Sequence, residues 1–362
     1  LIMSATLDAQ PVADLMGAQV ITSEGQSFPV ETRWRDTPLG PKARWDSEMA
    51  SLIKQAIGET ECGLLAFLPG KSEIRRVAQA IGTVEELEVL PLYGALPFKA
   101  QQAALAPTDG RKLVLATSIA ETSLTIPDIR VVVDGGRARR ARFDPGSGMS
   151  RLVTERVTRA EADQRRGRAG RVAKGICYRL WTKGEEGALS PFPPAEIEAA
   201  DLSGLALELA EWGSDKLQFL TAPPEAALAK ARALLRRLDA LDASAHITSH
   251  GRALAKMPLH PRLAHMLITA GASAAPLAAL LADRDPLRGA GADLGLRLAA
   301  LKDGRRDPGL ARIRDEAKRL SRRAPPAEIT EPAAQAALAY PDRVGLRRPG
   351  DDPRWLLSGG KG

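Results

Sequence analysis

The sequence predicts an α/β fold: a parallel sheet covered by helices on both faces, followed by a mainly helical region. Three observations carry this. Between residues 20 and 183, short β-type runs alternate with segments of helical period. The run Leu64 to Leu68 is continuously apolar, and Lys112 to Ala116 and Ile129 to Asp134 read as further buried strands, as a sheet covered on both faces requires. After Asp201 the strand signal nearly vanishes, and one helical segment follows another.

In chain order, Leu1-Ile2-Met3 sits inside a strand-like run. Val30-Glu31-Thr32-Arg33-Trp34 alternates as a half-buried strand, and Arg44 to Ile57 carries apolar residues at helical spacing. The continuous run Leu64 to Leu68 ends at Pro69-Gly70; Ser72 to Ile81 is helical again. Leu87 to Leu92, Lys112 to Ala116 and Ile129 to Asp134 complete the inner strands. Arg137 to Val157 reads as two extended arms around the turn Asp144-Pro145-Gly146-Ser147-Gly148, a β-hairpin. Thr158, with Glu161 three residues on, is a capping box, and Gly175 to Trp181 is the last strand. Pro191-Phe192-Pro193-Pro194 marks a boundary. Beyond it, Leu202 to Trp212, Pro224 to Leu238, Pro261 to Ala270, Ala292 to Leu301 and Pro308 to Leu320 read as helices, with Ile247 to Arg252 as a turn or wing.

The chain has 362 residues, 44% of them hydrophobic, enough to build two or three cored domains and to exclude wholesale disorder. Cys62 and Cys177 are too few for a disulfide scaffold, so a reducing, cytoplasmic setting is expected. The longest weakly polar run, Ala270 to Ala282, falls short of the ~20 residues a bilayer requires, so no membrane partner is expected.

The net charge of +7 is concentrated. Twelve arginines and five acids lie between Arg130 and Arg171, which leaves the remaining 320 residues neutral. Guanidinium forks match phosphate oxygens, so this stretch is expected to face phosphate. A second basic run, Lys302 to Arg323, is interspersed with acids and suits either a solvated, ion-paired face or RNA contact.

Gly70-Lys71-Ser72 lacks the glycine five residues upstream that a phosphate-cradling loop requires, because Leu65 stands there; a strand-to-helix turn is expected instead. Leu115 to Thr125 crowds five hydroxyls at the end of a strand, where α/β sheets bind ligands. In Gln164-Arg165-Arg166-Gly167-Arg168-Ala169-Gly170-Arg171, arginines three apart share a helix face. Small residues allow that face a close approach, as delivery of guanidinium onto a phosphate requires. A basic helix lying on nucleic acid is the alternative. His246, His250, His260 and His265 have no cysteine or paired carboxylate at ligand spacing, so no metal site is expected.

Taken in order, these segments resemble the DEAH-box helicases of superfamily 2. Ser4-Ala5-Thr6 resembles the family's third motif, at the end of a first RecA-like lobe. Phe67-Leu68-Pro69-Gly70 with Glu73-Ile74 resembles the fourth, and Pro91-Leu92-Tyr93-Gly94-Ala95-Leu96-Pro97 the next turn. Thr117 to Ile126 with Val131 to Asp134 resembles the fifth, and Gln164 to Arg171 the sixth. Leu259 to Leu267, Asp283 to Leu287 and Tyr340 to Arg343 look most like the bacterial HrpB-type branch.

The resemblance implies a remnant of the first lobe at 1–15 and a second RecA-like lobe at 16–183, with the hairpin at 137–157. It implies a winged-helix module at 184–256, a ratchet-like helical bundle at 257–340, and the start of a truncated C-terminal region at 341–362. The chain is then an internal or C-terminal portion of an ATP-dependent RNA helicase whose first lobe, in cis, holds most of the ATP and Mg2+. Arg168 and Arg171 would reach the γ-phosphate, with Gln164 near the attacking water and Gly167 and Thr125 beside the nucleotide. Pro69, Gly70, Tyr93, Thr117, Ser118, Thr122, Arg139 and Arg142 would contact single-stranded or partly duplex RNA, and Ser4 and Thr6 would couple the lobes. The sequence departs from the family pattern at Ser118, Pro127 and Leu105, where asparagine, an acid and an aromatic residue are common. Two rivals are a non-enzymatic nucleic-acid-binding protein using the basic lobe and winged helix, and a stand-alone phosphate-loop enzyme centred on Lys71.

Overall fold

A computed structural model describes residues 2, 9–22, 27–121, 126–144, 149–214, 216–287, 289–303, 307–326, 329–350 and 354–358. The chain divides into two compact units, residues 1–142 with 151–195, and residues 143–150 with 196–362.

In the first unit, helix α1 (Ala9–Met16) precedes strand β1 (Val30–Arg35). Then follow α2 (Trp45–Glu59), β2 (Gly63–Phe67), α3 (Lys71–Ile81), β3 (Leu87–Leu92), α4 (Phe98–Leu105), β4 (Arg111–Ala116) and β5 (Ile129–Asp134). Strands β6 (Arg137–Asp144) and β7 (Met149–Arg156) pair with each other as a separate two-stranded sheet. The hairpin arms are therefore present, while turn residues 145–148 lie outside the described residues. Helix α5 (Arg159–Gly167), β8 (Gly175–Thr182) and α6 (Lys183–Gly187) close the unit.

Six strands form one sheet in the order β1-β8-β5-β2-β4-β3, and every pairing is parallel. Alternate residues of each inner strand serve opposite cores. Leu64, Ala66, Leu113, Leu115, Val131 and Val133 pack with α2 and α3, whereas Leu65, Phe67, Val114, Ala116 and Val132 face α4 and the turn after α5. A strand needed on both sides must be apolar at every position, which is why these runs do not alternate.

The second unit is helical. Helices α7 (Glu196–Ala199), α8 (Ser203–Trp212), α9 (Glu225–Arg237) and α10 (Ser249–Ala255) precede α11 (Pro261–Ala270). Leu207, Leu235 and Leu254 from α8, α9 and α10 share a core with Ala264 of α11. The opposite side of α11, through Leu263, Met266 and Leu267, joins α12 (Ala275–Ala282), α13 (Leu294–Lys302), α14 (Pro308–Ser321) and α15 (Pro332–Ala339). A short antiparallel pair, β9 (Gly345–Arg347) and β10 (Trp355–Leu357), ends the described chain.

The structure corrects one element. The wing expected at Ile247 to Arg252 is the start of α10: the Thr248 side chain accepts from the Gly251 amide at 2.9 Å, and Ile247 makes only one bridge, to Leu241. Among the described residues no helix is long and apolar enough to cross a membrane.

Candidate functional site

The carboxyl ends of the parallel strands bring together residues that are far apart in sequence, the place where open α/β sheets bind ligands. Past β2, Pro69 and Gly70 are buried. Arg139 of β6 closes over Gly70 and pairs with Glu73 at 3.1 Å; a Cβ on Gly70 would come within 2.5 Å of the Arg139 guanidinium. Gly70 begins α3 in extended conformation, so Gly70-Lys71-Ser72 is the strand-to-helix turn expected. Past β4, the Thr117 amide donates to the Leu92 carbonyl at 3.1 Å, and Ser118 is exposed. Tyr93, past β3, is half-buried with the Lys71 ammonium 5.6 Å from its ring centroid. Lys71, Arg75 and Tyr93 rim a cleft of about 310 Å³ floored by Ile74, Val89 and Leu115. Thr122, Thr125, Ser4 and Thr6 lie outside the described residues.

The arginine-rich segment 164–171 is not one helix, contrary to expectation. Thr158 and Glu161 form the anticipated capping box, but α5 stops at Gly167 and residues 168–170 make a tighter 3₁₀ turn. This turn packs directly on the backbone before β1: a Cβ on Gly170 would lie 2.5 Å from the Phe28 carbonyl. Arg165 and Arg168 are both buried against Glu121, whereas Arg171 is exposed. Arg165 is fully buried. Its Nε donates to Glu121 at 2.7 Å and its Nη1 to Asp134 at 2.8 Å, and its guanidinium lies 5.0 Å from the Phe67 ring centroid. Burial opposes the charge, yet Asp134 and Glu121 hold this guanidinium above its ordinary value.

Arg168 is 6% exposed and donates to the Glu121 carbonyl. Burial, and then the like charge of Arg171, pull the Arg168 guanidinium down to about 10, so it stays cationic at neutral pH. Gly167 and Arg171 are exposed and Gln164 is half-buried. Arg168 thus rests, at the end of α5, against the segment leaving β4, and Arg171 stands exposed three residues on.

The wider arginine cluster is corrected as well. It is not a bare phosphate-facing surface, because carboxylates from inside and outside the stretch match much of it. Arg140 bonds Glu161 at 2.6 Å, Arg142 bonds Glu155 at 2.6 Å, Arg139 holds Glu73, Arg165 holds Glu121, and Arg156 lies 3.6 Å from Glu185. Summing charge along the chain missed Glu73, Glu121 and Glu185, which the fold brings in from elsewhere. The second basic run is also ion-paired: Arg312 with Asp283 at 2.8 Å and Arg319 with Glu316 at 2.7 Å.

In the helical unit, His250 Nε2 and His265 Nδ1 lie 2.8 Å apart, and burial lowers the basicity of both. His260 lies 3.2 Å from Asp201; against the opposing effect of burial, this contact and Ser203 hold the carboxyl down to about 2. Among the described residues no group of three or more His, Cys, Asp or Glu could hold a metal ion.

Residues 49–173 match the helicase conserved C-terminal domain. Along its whole length the chain is 41% identical to the ATP-dependent RNA helicase HrpB of Escherichia coli, of which it covers 45%. The chain carries a helicase conserved C-terminal domain and is similar along its whole length to the HrpB-type DEAH-box helicases. A crystal structure of the Escherichia coli DEAH/RHA helicase HrpB superimposes on 99% of the chain with a TM-score of 0.87 at 38% identity, using 46% of that chain. More distant similarity reaches the pre-mRNA-splicing factor ATP-dependent RNA helicase prp22 of Schizosaccharomyces pombe, 36% identical over 74% of this chain and 24% of that protein. The chain thus spans under half the length of the relatives it matches.

Proposed function

We propose that this chain is the part of an ATP-dependent RNA helicase that senses the γ-phosphate and holds the RNA backbone, completed by a first RecA-like lobe in cis. In this reading residues 1–15 are a remnant of the first lobe, 16–183 the second motor lobe, 184–256 a winged-helix module, 257–340 a ratchet-like bundle and 341–362 the start of a truncated C-terminal region. The carrying observation is Arg168, which lies at the end of α5 and donates to the Glu121 carbonyl in the segment that leaves β4, with Arg171 exposed three residues further on. The full-length match to a helicase named for RNA and ATP supplies the ligand classes.

Arg168 and Arg171 neutralise charge that develops on the γ-phosphate as the bond to the leaving phosphate lengthens, Gln164 orients the attacking water, and Gly167 lets the phosphate approach without a side chain in the way. Thr125 is assigned to the nucleotide by the same resemblance. Pro69, Gly70, Tyr93, Thr117, Ser118, Thr122, Arg139 and Arg142 track the RNA backbone, and Ser4 and Thr6 couple the lobes. Arg139 and Arg142 already hold Glu73 and Glu155, so they meet phosphate by exchanging carboxylate partners. By the same resemblance, Mg2+ accompanies ATP and is held mainly by the first lobe. The two free cysteines agree with a reducing, cytoplasmic setting.

Two measurements test this. The purified chain, residues 1–362, is expected to show negligible ATP hydrolysis with or without RNA; robust turnover refutes the division of labour. With the first lobe present, Arg168→Ala or Arg171→Ala is expected to lower kcat by on the order of 10³-fold. Unchanged turnover in both variants removes the γ-phosphate assignment, whereas tight, strongly salt-dependent RNA binding with no ATP response even when the first lobe is present favours a non-enzymatic nucleic-acid-binding protein.

A further inference from the structure

Arg165 lies in the same segment as the two phosphate-facing arginines but has a different environment. It is buried, and it touches four chain segments at once. Its fork grips the Glu121 carboxylate past β4, Nη1 reaches Asp134 at the end of β5 and the Arg137 carbonyl at the start of β6 (3.3 Å), and the plane lies near Phe67 at the end of β2. Glu121 is shared: its side chain belongs to Arg165, and its carbonyl accepts from Arg168. Asp134 Oδ1 also accepts from the Gly136 amide at 2.9 Å, which fixes the turn into β6.

We propose that Arg165 is a positioning residue, a buried guanidinium that sets the pose of Arg168 through Glu121 and ties it to the ends of β2, β5 and β6. The inference rests on the reading of Arg168 as a γ-phosphate ligand. Arg165 touches no nucleotide. Displacement of any one of the four segments shifts the Glu121 carboxylate, and with it the carbonyl against which Arg168 rests. A lysine keeps the charge but cannot hold Glu121 through a fork while reaching Asp134 and the Arg137 carbonyl with a third donor.

The test is a double-mutant cycle in the protein that carries both lobes, with kcat and KM for ATP measured at saturating RNA and folding checked by thermal melting. Arg165→Lys is expected to lower kcat by on the order of 10- to 100-fold, as a misplaced catalytic group does. KM for ATP should change little, since the ground-state contacts remain. Glu121→Gln, which keeps the shape of the side chain, should move kcat in the same direction by less. Combined with Arg168→Ala, either change should add no further loss, because the residue it positions is already gone. Additive losses, or wild-type kcat in Arg165→Lys, overturn the inference while leaving the Arg168 assignment intact. Wild-type kcat in Arg168→Ala removes that assignment and this inference together. If Arg165→Lys does not fold, the Glu121→Gln and Arg168→Ala cycle decides by the same criterion.

Discussion

His250 and His265 share one short contact, and because burial disfavours charge on both, the folded state keeps them neutral. Asp239 is near both rings and opposes this only in part. Because their folded-state basicity is depressed, the unfolded chain takes up protons first as acid is added. The stability they contribute is therefore complete above the ordinary histidine value, about 6.5, and is lost as the pH falls below it. The midpoint of urea unfolding for the helical unit should drop between pH 7 and pH 5, and His265→Gln should flatten that dependence. A second residue-scale expectation concerns Thr158, whose hydroxyl and partner Glu161 satisfy the first turn of α5. Thr158→Ala should cost about 1 kcal/mol, read as a shift in denaturant midpoint with unchanged slope.

Among the elements, α11 is unusual in being apolar on more than one side. Leu267 is wholly buried, and Leu267→Ala should cost about 2–5 kcal/mol, enough to unfold the helical unit at moderate urea while the sheet unit stays folded. The inner strands were legible because burial on both faces writes an unbroken apolar run, and α5 was legible from its capping box. Helices α4 and α12 were not. Phe98–Leu105 buries only Ala104, and Ala275–Ala282 is apolar all round, so neither carries the one-sided stripe that marks a helix. The wing was misread for a related reason: Thr248 is equally at home in a turn and at a helix start, and only the Gly251 amide it accepts from decides. The candidate site divides the same way. The family resemblance singled out Arg168 and Arg171, but the burial of Arg165 depends on Glu121 and Asp134, contributed by segments 44 and 31 residues away.

For the molecule as a whole, ion pairing reduces what the net charge can do. With Arg139, Arg140, Arg142, Arg156 and Arg165 each held by a carboxylate, RNA binding by residues 1–362 should release far fewer counterions than twelve arginines suggest. A plot of log affinity against log salt should have a slope equivalent to a few phosphates; a slope near ten contradicts the pairing described above.

The placement of α11 carries a mechanical consequence. Its ten residues are clamped by one set of helices through Ala264 and by another through Met266 and Leu267. A rod gripped by two separate jaws cannot slip in one without turning in the other. Turning α8, α9 and α10 about this rod would therefore disturb its seat against α12 and α14 as well.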